Sequence, residues 1–299
     1  MTCVSRSGFP ISLLFLKLFV FSQILAKPGN NATVTKQCNV NVYNGCCAGP
    51  EKKIETILQE MKKQLTQLQD DINILKGNKT TVKVIGKDCA ELYKSGQRTS
   101  GVYTIDPDGS GTFDVFCDQT TAGGGWTVFQ KRLDGSVNFY RGWADYKNGF
   151  GNLSGEFWLG LDKIHRLTKK KNRLRVDLED TTGKTAYAEY DMFAVTSERT
   201  KYQLSLGSYS GNAGDSLSSH RGYPFTTKDQ DNDGYSSRNC AVWFKGAWWY
   251  HSGCHHSNLN GVYHHGKHSS HADGVNWYHW KGFNYSAKRA EMKIRPVKF

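Results

Sequence analysis

Residues 123–151 read GGGWTVFQKRLDGSVNFYRGWADYKNGFG. Trp126–Arg132 is a β-type run, enclosed by a triple glycine and the turn sequence Leu133-Asp134-Gly135-Ser136. A weaker helical pattern follows over Arg141–Gly149. Upstream, SGVYTI (100–105) and TFDVFC (112–117) are further short β-type runs, and the Asp-Pro-Asp-Gly-Ser-Gly between them reads as a hairpin turn. Downstream, Gly155–Leu167 carries the best helical pattern. Short runs alternating with Gly, Asp and Asn turns predict one strand-dominated, loop-rich α+β domain over residues 87–299.

The whole chain has 299 residues and a formal net charge of +12. That charge attracts anionic surfaces, but no Lys/Arg cluster interleaves with aromatic residues. The dense run Lys169-Lys170-Lys171 sits between apolar segments and reads as a solvated turn, so nucleic acid is not an expected partner. Aromatic residues make up 13% of the chain, which suits a packed domain rather than a disordered one.

Arg6 followed by FPISLLFLKLFVFSQILA reads as a signal peptide over residues 1–26, cut near Ala26. The alternative is an uncleaved anchor, but Lys17 is costly at a bilayer centre. A secreted location follows, with no stable membrane insertion. Eight cysteines become seven if Cys3 leaves with the signal, and an odd count in a secreted chain points to pairing between chains. Sequons at Asn31, Asn78, Asn152 and Asn284 fit the same compartment.

Residues 27–50 are polar and hold Cys38, Cys46 and Cys47. A bridge between the neighbours Cys46 and Cys47 is strained, so these three are expected to form interchain disulfides. Over residues 51–77 the pattern changes. Ile54, Met61, Leu68 and Leu75 recur every seven residues, and Leu58, Leu65 and Ile72 do so with an offset of four. The narrow apolar stripe predicts a short coiled coil ending at Gly77, and hence a disulfide-linked homo-oligomer; a single helix docked on the domain is the alternative. Residues 78–86 read as a linker.

Four stretches carry a resemblance: DCAELYKSGQRTSGVYTIDPDGSGTFDVFCD (88–118), the stretch quoted first, GEFWLGLDKIHRLT (155–168) and KRAEMKIRPV (288–297). Together they resemble the fibrinogen C-terminal domain family, over about residues 87–299. CAVWFKGAWWY, SNLNGVY and NWYHWKGFNYS are similar in particular to the ficolin, tachylectin and acetyl-binding-receptor branch. The resemblance implies three subdomains, trimers or larger assemblies, and the disulfides Cys89–Cys117 and Cys240–Cys254.

KDQDNDGYSSRNC (228–240) opens like a calcium loop. An EF-hand needs a bidentate Glu at loop position twelve, which here is Cys240, so that reading fails. Alternate residues in an extended loop can still turn the Asp231 and Asp233 carboxylates to one point. The resemblance implies Ca2+ there, with the carbonyls of Tyr235 and Ser237. It also implies an acetyl-binding pocket formed by Phe244, Cys254, His255, His271, Ala272 and Phe283, with a cis peptide between Cys254 and His255. If His255 and His271 line it, protonation near pH 6.5 alters affinity. The other histidines between His251 and His279 show no tetrahedral zinc spacing and read as polar loop surface. Gly214-Asp215-Ser216-Leu217 spells a hydrolase motif, but its Asp-x-x-His partner, Asp162 to His165, lies upstream, so no enzyme is expected.

The function these readings imply is a secreted, oligomeric, calcium-dependent lectin for acetylated glycans such as N-acetylglucosamine, acting in innate defence through avidity. The alternative is a protein-binding ligand or matrix component, as in angiopoietin and tenascin relatives.

Overall fold

Ile54, Leu58, Met61, Leu65, Leu68 and Ile72 fall on one stripe of a 29-residue helix, α1 (Gly49–Gly77). All six are exposed, between 42% and 60%. The computed structural model describes residues 49–77 and 84–299. The apolar run before Ala26, Cys38, Cys46, Cys47, Asn31 and Asn78 lie outside the described residues. The chain divides into two compact units at residue 80, and α1 belongs to the first.

The second unit begins with a short helix, α2 (Cys89–Lys94), capped by Asp88, whose side chain accepts the Glu91 N–H. The hairpin expected around Asp106–Gly111 forms: β1 (Gly101–Ile105) pairs antiparallel with β2 (Phe113–Asp118). The run that opens the sequence becomes β3 (Trp126–Arg132), buried along its whole length. It is followed by α3 (Trp143–Asn148), β4 (Phe150–Gly151) and β5 (Phe157–Trp158). The helical pattern over Gly155–Leu167 is only partly helix. Phe157 and Trp158 pair with β3, and α4 begins later, at Leu161–Thr168. Buried aromatic rings favour the pleated surface there.

β6 (Asn172–Glu179) and β7 (Thr185–Val195) alternate buried and half-exposed residues, the period-two signature of a sheet with one wet face. β8 (Leu204–Leu206) and β9 (Tyr209–Gly211) extend β7. The last strand, β14 (Arg289–Pro296), inserts between β3 and β6, giving the order β1-β2-β3-β14-β6-β7-β8. On its wet face lies a buried ion cluster. Lys293, 1% exposed, reaches Asp118 at 2.7 Å and both Asp177 and Glu291 at 2.8 Å.

Residues 212–288 form a loop-rich layer with little regular structure: α5 (Cys240–Trp243), β10 (Ser257–Asn258), β11 (Gly266–Lys267), β12 (Asn276–Trp277), α6 (Tyr278–Lys281) and β13 (Tyr285–Ser286). Two-stranded pairs β10–β12 and β11–β13 hold it. Arg132 ties this layer to β3: its guanidinium donates to the carbonyls of Leu259 (3.0 Å) and Gly261 (2.6 Å). Glu156 organises the turn after β3. Its carboxylate accepts the N–H groups of Leu133, Asp134, Gly135 and Val137 at 2.8–3.2 Å, with Arg132 3.6 Å away.

Candidate functional site

Asp229, the first acid of the calcium-like stretch, is not free to bind a cation. It reaches α3, where its Oδ1 accepts the Trp143 N–H at 2.9 Å and the Thr227 hydroxyl at 2.6 Å. A Cβ on Gly142 would lie 2.5 Å from its other oxygen, so glycine there makes room for a cap supplied from 86 residues away.

Asp231 and Asp233 behave differently. The Asp233 N–H donates to Asp231 Oδ1 at 3.2 Å, which holds the two acids side by side. The Asp233 carboxylate accepts the N–H groups of Tyr235 and Cys240, both at 2.7 Å. Burial, joined by the neighbouring Asp231 charge, raises the Asp233 carboxyl above the usual carboxylate range. Two hard oxygen donors repelling one another in a fixed loop suit a divalent cation, which relieves that repulsion. Tyr235 and Ser237 follow in the same loop, Tyr235 half-buried and Ser237 exposed.

The loop leads into α5. Asn239 caps it by accepting the N–H groups of Ala241 and Val242, and donates to the Thr227 carbonyl. The Cys240–Cys254 disulfide closes on the buried side, and Cys89–Cys117 closes at α2; both are the pairs the resemblance implies. The outer side of α5 presents Val242 (41% exposed) and Trp243 (46%). The Arg238 guanidinium lies 4.3 Å from the Trp243 ring, and Tyr235 and Phe244 flank it. Arg238, Asn239, Val242, Trp243 and Lys245 line an open groove of about 320 Å³. Beside it, Lys228 and Lys245 stand over the Tyr140 ring. Sequence reasoning missed this patch, although Val242-Trp243 beside Arg238 is visible as an aromatic–cation pair.

The six residues assigned to an acetyl pocket do gather. His255 sits edge-on to Phe244 (4.7 Å) and Phe283 (5.6 Å), and Phe283 meets His271. His255 Nε2 hydrogen-bonds the Ala272 carbonyl at 3.0 Å, and Cys254, His255 and Ala272 are buried. Three expectations are corrected here. There is no cis peptide among the described residues, so the Cys254–His255 bond is trans. Burial depresses His255 to about 3, so this ring does not titrate near 6.5. His255 is a core ring, while His271 remains exposed. Among the histidines between His251 and His279 expected mostly on loop surface, His251 is instead buried, and His220, outside that stretch, is buried as well.

The hydrolase-like motif is structural. Ser216 is fully buried against His279, and Asp215 accepts the Tyr190 hydroxyl at 2.7 Å. His165 binds the Val195 carbonyl, and Asp162 accepts the Tyr202 hydroxyl. Asn152 and Asn284 are both exposed, as sequons require. The lysine run at 169–171 is exposed, as read.

Residues 85–297 match the family described as fibrinogen beta and gamma chains, C-terminal globular domain. Fibrinogen C domain-containing protein 1 of Xenopus tropicalis is 54% identical over 217 residues, 70% of this chain and 47% of that one. The chain thus spans about half the length of these relatives. Angiopoietin-related protein 7 of Mus musculus is 47% identical over 258 residues, covering 83% of this chain and 76% of its own. Among solved structures, the fibrinogen-like globe domain of human ANGPTL6 superposes with a TM-score of 0.69 at 49% identity, covering 74% of this chain and all of that one. These relatives are fibrinogen C domain-containing and angiopoietin-related proteins rather than lectins, which overturns the reading as an acetyl-recognising lectin of innate defence. The protein is secreted, and its two closed disulfides fit that compartment. Among the described residues no helix is long and apolar enough to cross a membrane.

Proposed function

Because the chain belongs to the fibrinogen C-terminal domain family, we propose that it is a secreted protein-binding ligand that contacts its partner through the patch on α5. The observation that carries this reading is Trp243. A large ring nearly half exposed, backed by a disulfide and stacked beside an arginine, is the composition of a binding hot spot. Partner recognition, not catalysis, is the role of this site.

Ca2+ is the cofactor proposed for the adjoining loop. Asp231 and Asp233 would hold it, with the carbonyls of Tyr235 and Ser237. Its contribution is rigidity: Asp233 also fixes the first turn of α5, so a cation there braces the patch. The exposed stripe of α1 supports a further proposal, that copies of the chain associate through it, with Cys38, Cys46 and Cys47 linking them. Three heptads are marginal alone, so the crosslinks matter.

The test is capture of cell-surface protein by the full secreted chain and by Trp243→Ala. Retention should fall at least about thirtyfold, the effect of a hot-spot truncation. Equal capture by a variant with unchanged near-ultraviolet circular dichroism overturns the assignment of the patch. Leu65→Glu tests association: sedimentation should show a smaller species under reducing conditions.

A further inference from the structure

We propose that His264, His268 and Asp273 form a zinc-binding site that staples the loop between Val262 and Gly274. The loop is closed at its base, where Val262 bridges Gly274 and its N–H donates to the Asp273 carbonyl at 2.7 Å. That closure folds the chain back on itself and brings together side chains nine positions apart. One ligand atom from each of the three residues lies within 4.8 Å of the others. His264 Nε2 is 3.0 Å and His268 Nδ1 is 3.7 Å from Asp273 Oδ1. A zinc tetrahedron with bonds of about 2.0 Å has edges of roughly 3.3 Å, so these two distances bracket what the metal needs with little movement.

The donor set selects the metal. Two imidazoles and one carboxylate suit zinc, whereas calcium prefers oxygen alone. The site is therefore chemically distinct from the Asp231–Asp233 pair. The two imidazole rings stack with centroids 4.3 Å apart. The His268 side chain is 6% exposed, and its Nε2 is buried without a partner among the described residues, so no second bond locks its tautomer. Without metal, His264 Nε2–H and the Ser270 hydroxyl both donate to Asp273 Oδ1. Zinc takes the place of the Nε2 proton, which passes through solvent to the ring's Nδ1 so that the imidazole stays neutral, and the hydroxyl stays as an outer hydrogen bond to the ligating carboxylate. Water fills the fourth position. The spacing His264-x-x-x-His268 is the sequence signal, and the carboxylate five residues later completes it only because the loop closes.

The experiment is calorimetric titration of the full secreted chain with zinc chloride in the presence of excess calcium. The variants are His264→Ala, Asp273→Asn and His265→Ala. The last removes an exposed histidine of the same loop that lies outside the cluster. Wild type and His265→Ala should bind one equivalent that His264→Ala loses, and Asp273→Asn should weaken that equivalent at least about tenfold. Asparagine retains the acceptor for Ser270, so this variant keeps the loop's own hydrogen bond. Cobalt(II) should give the visible absorption of a tetrahedral site in wild type and not in His264→Ala. Zinc binding that is absent in wild type, or unchanged in both His264→Ala and Asp273→Asn, overturns the proposal.

Discussion

The Cys240 backbone N–H donates to Asp233 Oδ2 at 2.7 Å, so one carboxylate joins the acidic loop to the helix that carries Trp243. The same group stands beside Asp231, and its pKa is raised in the fold. A raised carboxyl stabilises the fold below its unfolded value and loses that contribution as pH rises through its folded one. At neutral pH the loop therefore carries an unrelieved repulsion that a cation removes. Calcium at about ten times its dissociation constant should stabilise the protein by ~1.4 kcal/mol. Calorimetric melting with calcium and with a chelator checks this. Asp231→Asn should melt at one temperature in both; a calcium response equal to wild type refutes the assignment.

Lys293 has three carboxylate partners and almost no exposure. Lys293→Met removes the cation and leaves Asp118, Asp177 and Glu291 facing each other. We expect a loss of about 3–5 kcal/mol, read from urea midpoints. A loss below 1 kcal/mol would mean that the carboxylates take up protons or water freely.

Glu156→Gln replaces an acceptor for four backbone N–H groups with one that carries its own N–H. One amide hydrogen must then face a donor. The expected cost is about 2–3 kcal/mol, seen in urea unfolding, with hydrogen exchange quickening at Leu133–Val137. Unchanged exchange in that turn would show that the negative charge of Glu156 is not what holds it.

Acid should weaken the fold through its histidines. Burial holds His251 at about 4 and His255 at about 3, and pushes His220 well below its ordinary value. The unfolded chain takes up protons near 6.5 while the fold keeps these rings neutral. Stability is therefore complete above about pH 6.5 and drains as pH falls toward 4. Each ring contributes up to about 1.4 kcal/mol per pH unit in that window. Urea unfolding at pH 7, 6 and 5 gives the slope; a flat profile contradicts the buried, neutral assignment.

Much of this architecture was legible. The seven-residue recurrence of Ile54, Met61 and Leu68 gave the helix, because a stripe is a local property. The turn at Asp106–Gly111 gave the first hairpin for the same reason. Distant pairings were not legible. Asp229 is the first acid of the calcium-like stretch, yet its partner is the N–H that opens a helix 86 residues earlier. His255 looked like pocket lining, yet the Ala272 carbonyl and two phenyl rings enclose it. His264-x-x-x-His268 supplies only two ligands in the sequence, and the loop closure that adds Asp273 is invisible in the spacing. Each failure concerns a polar side chain whose partner is chosen by tertiary geometry rather than by its neighbours.

β14 pairs with β3 on one side and β6 on the other, although those strands are made first. On the ribosome, β3 and β6 must therefore wait with a vacant lane between them. More than a hundred residues are synthesised between β6 and β14, including Cys240 and Cys254. The domain cannot close progressively from its N-terminal side. A nascent chain stalled before Arg289 leaves two open strand edges available to chaperones or to other chains.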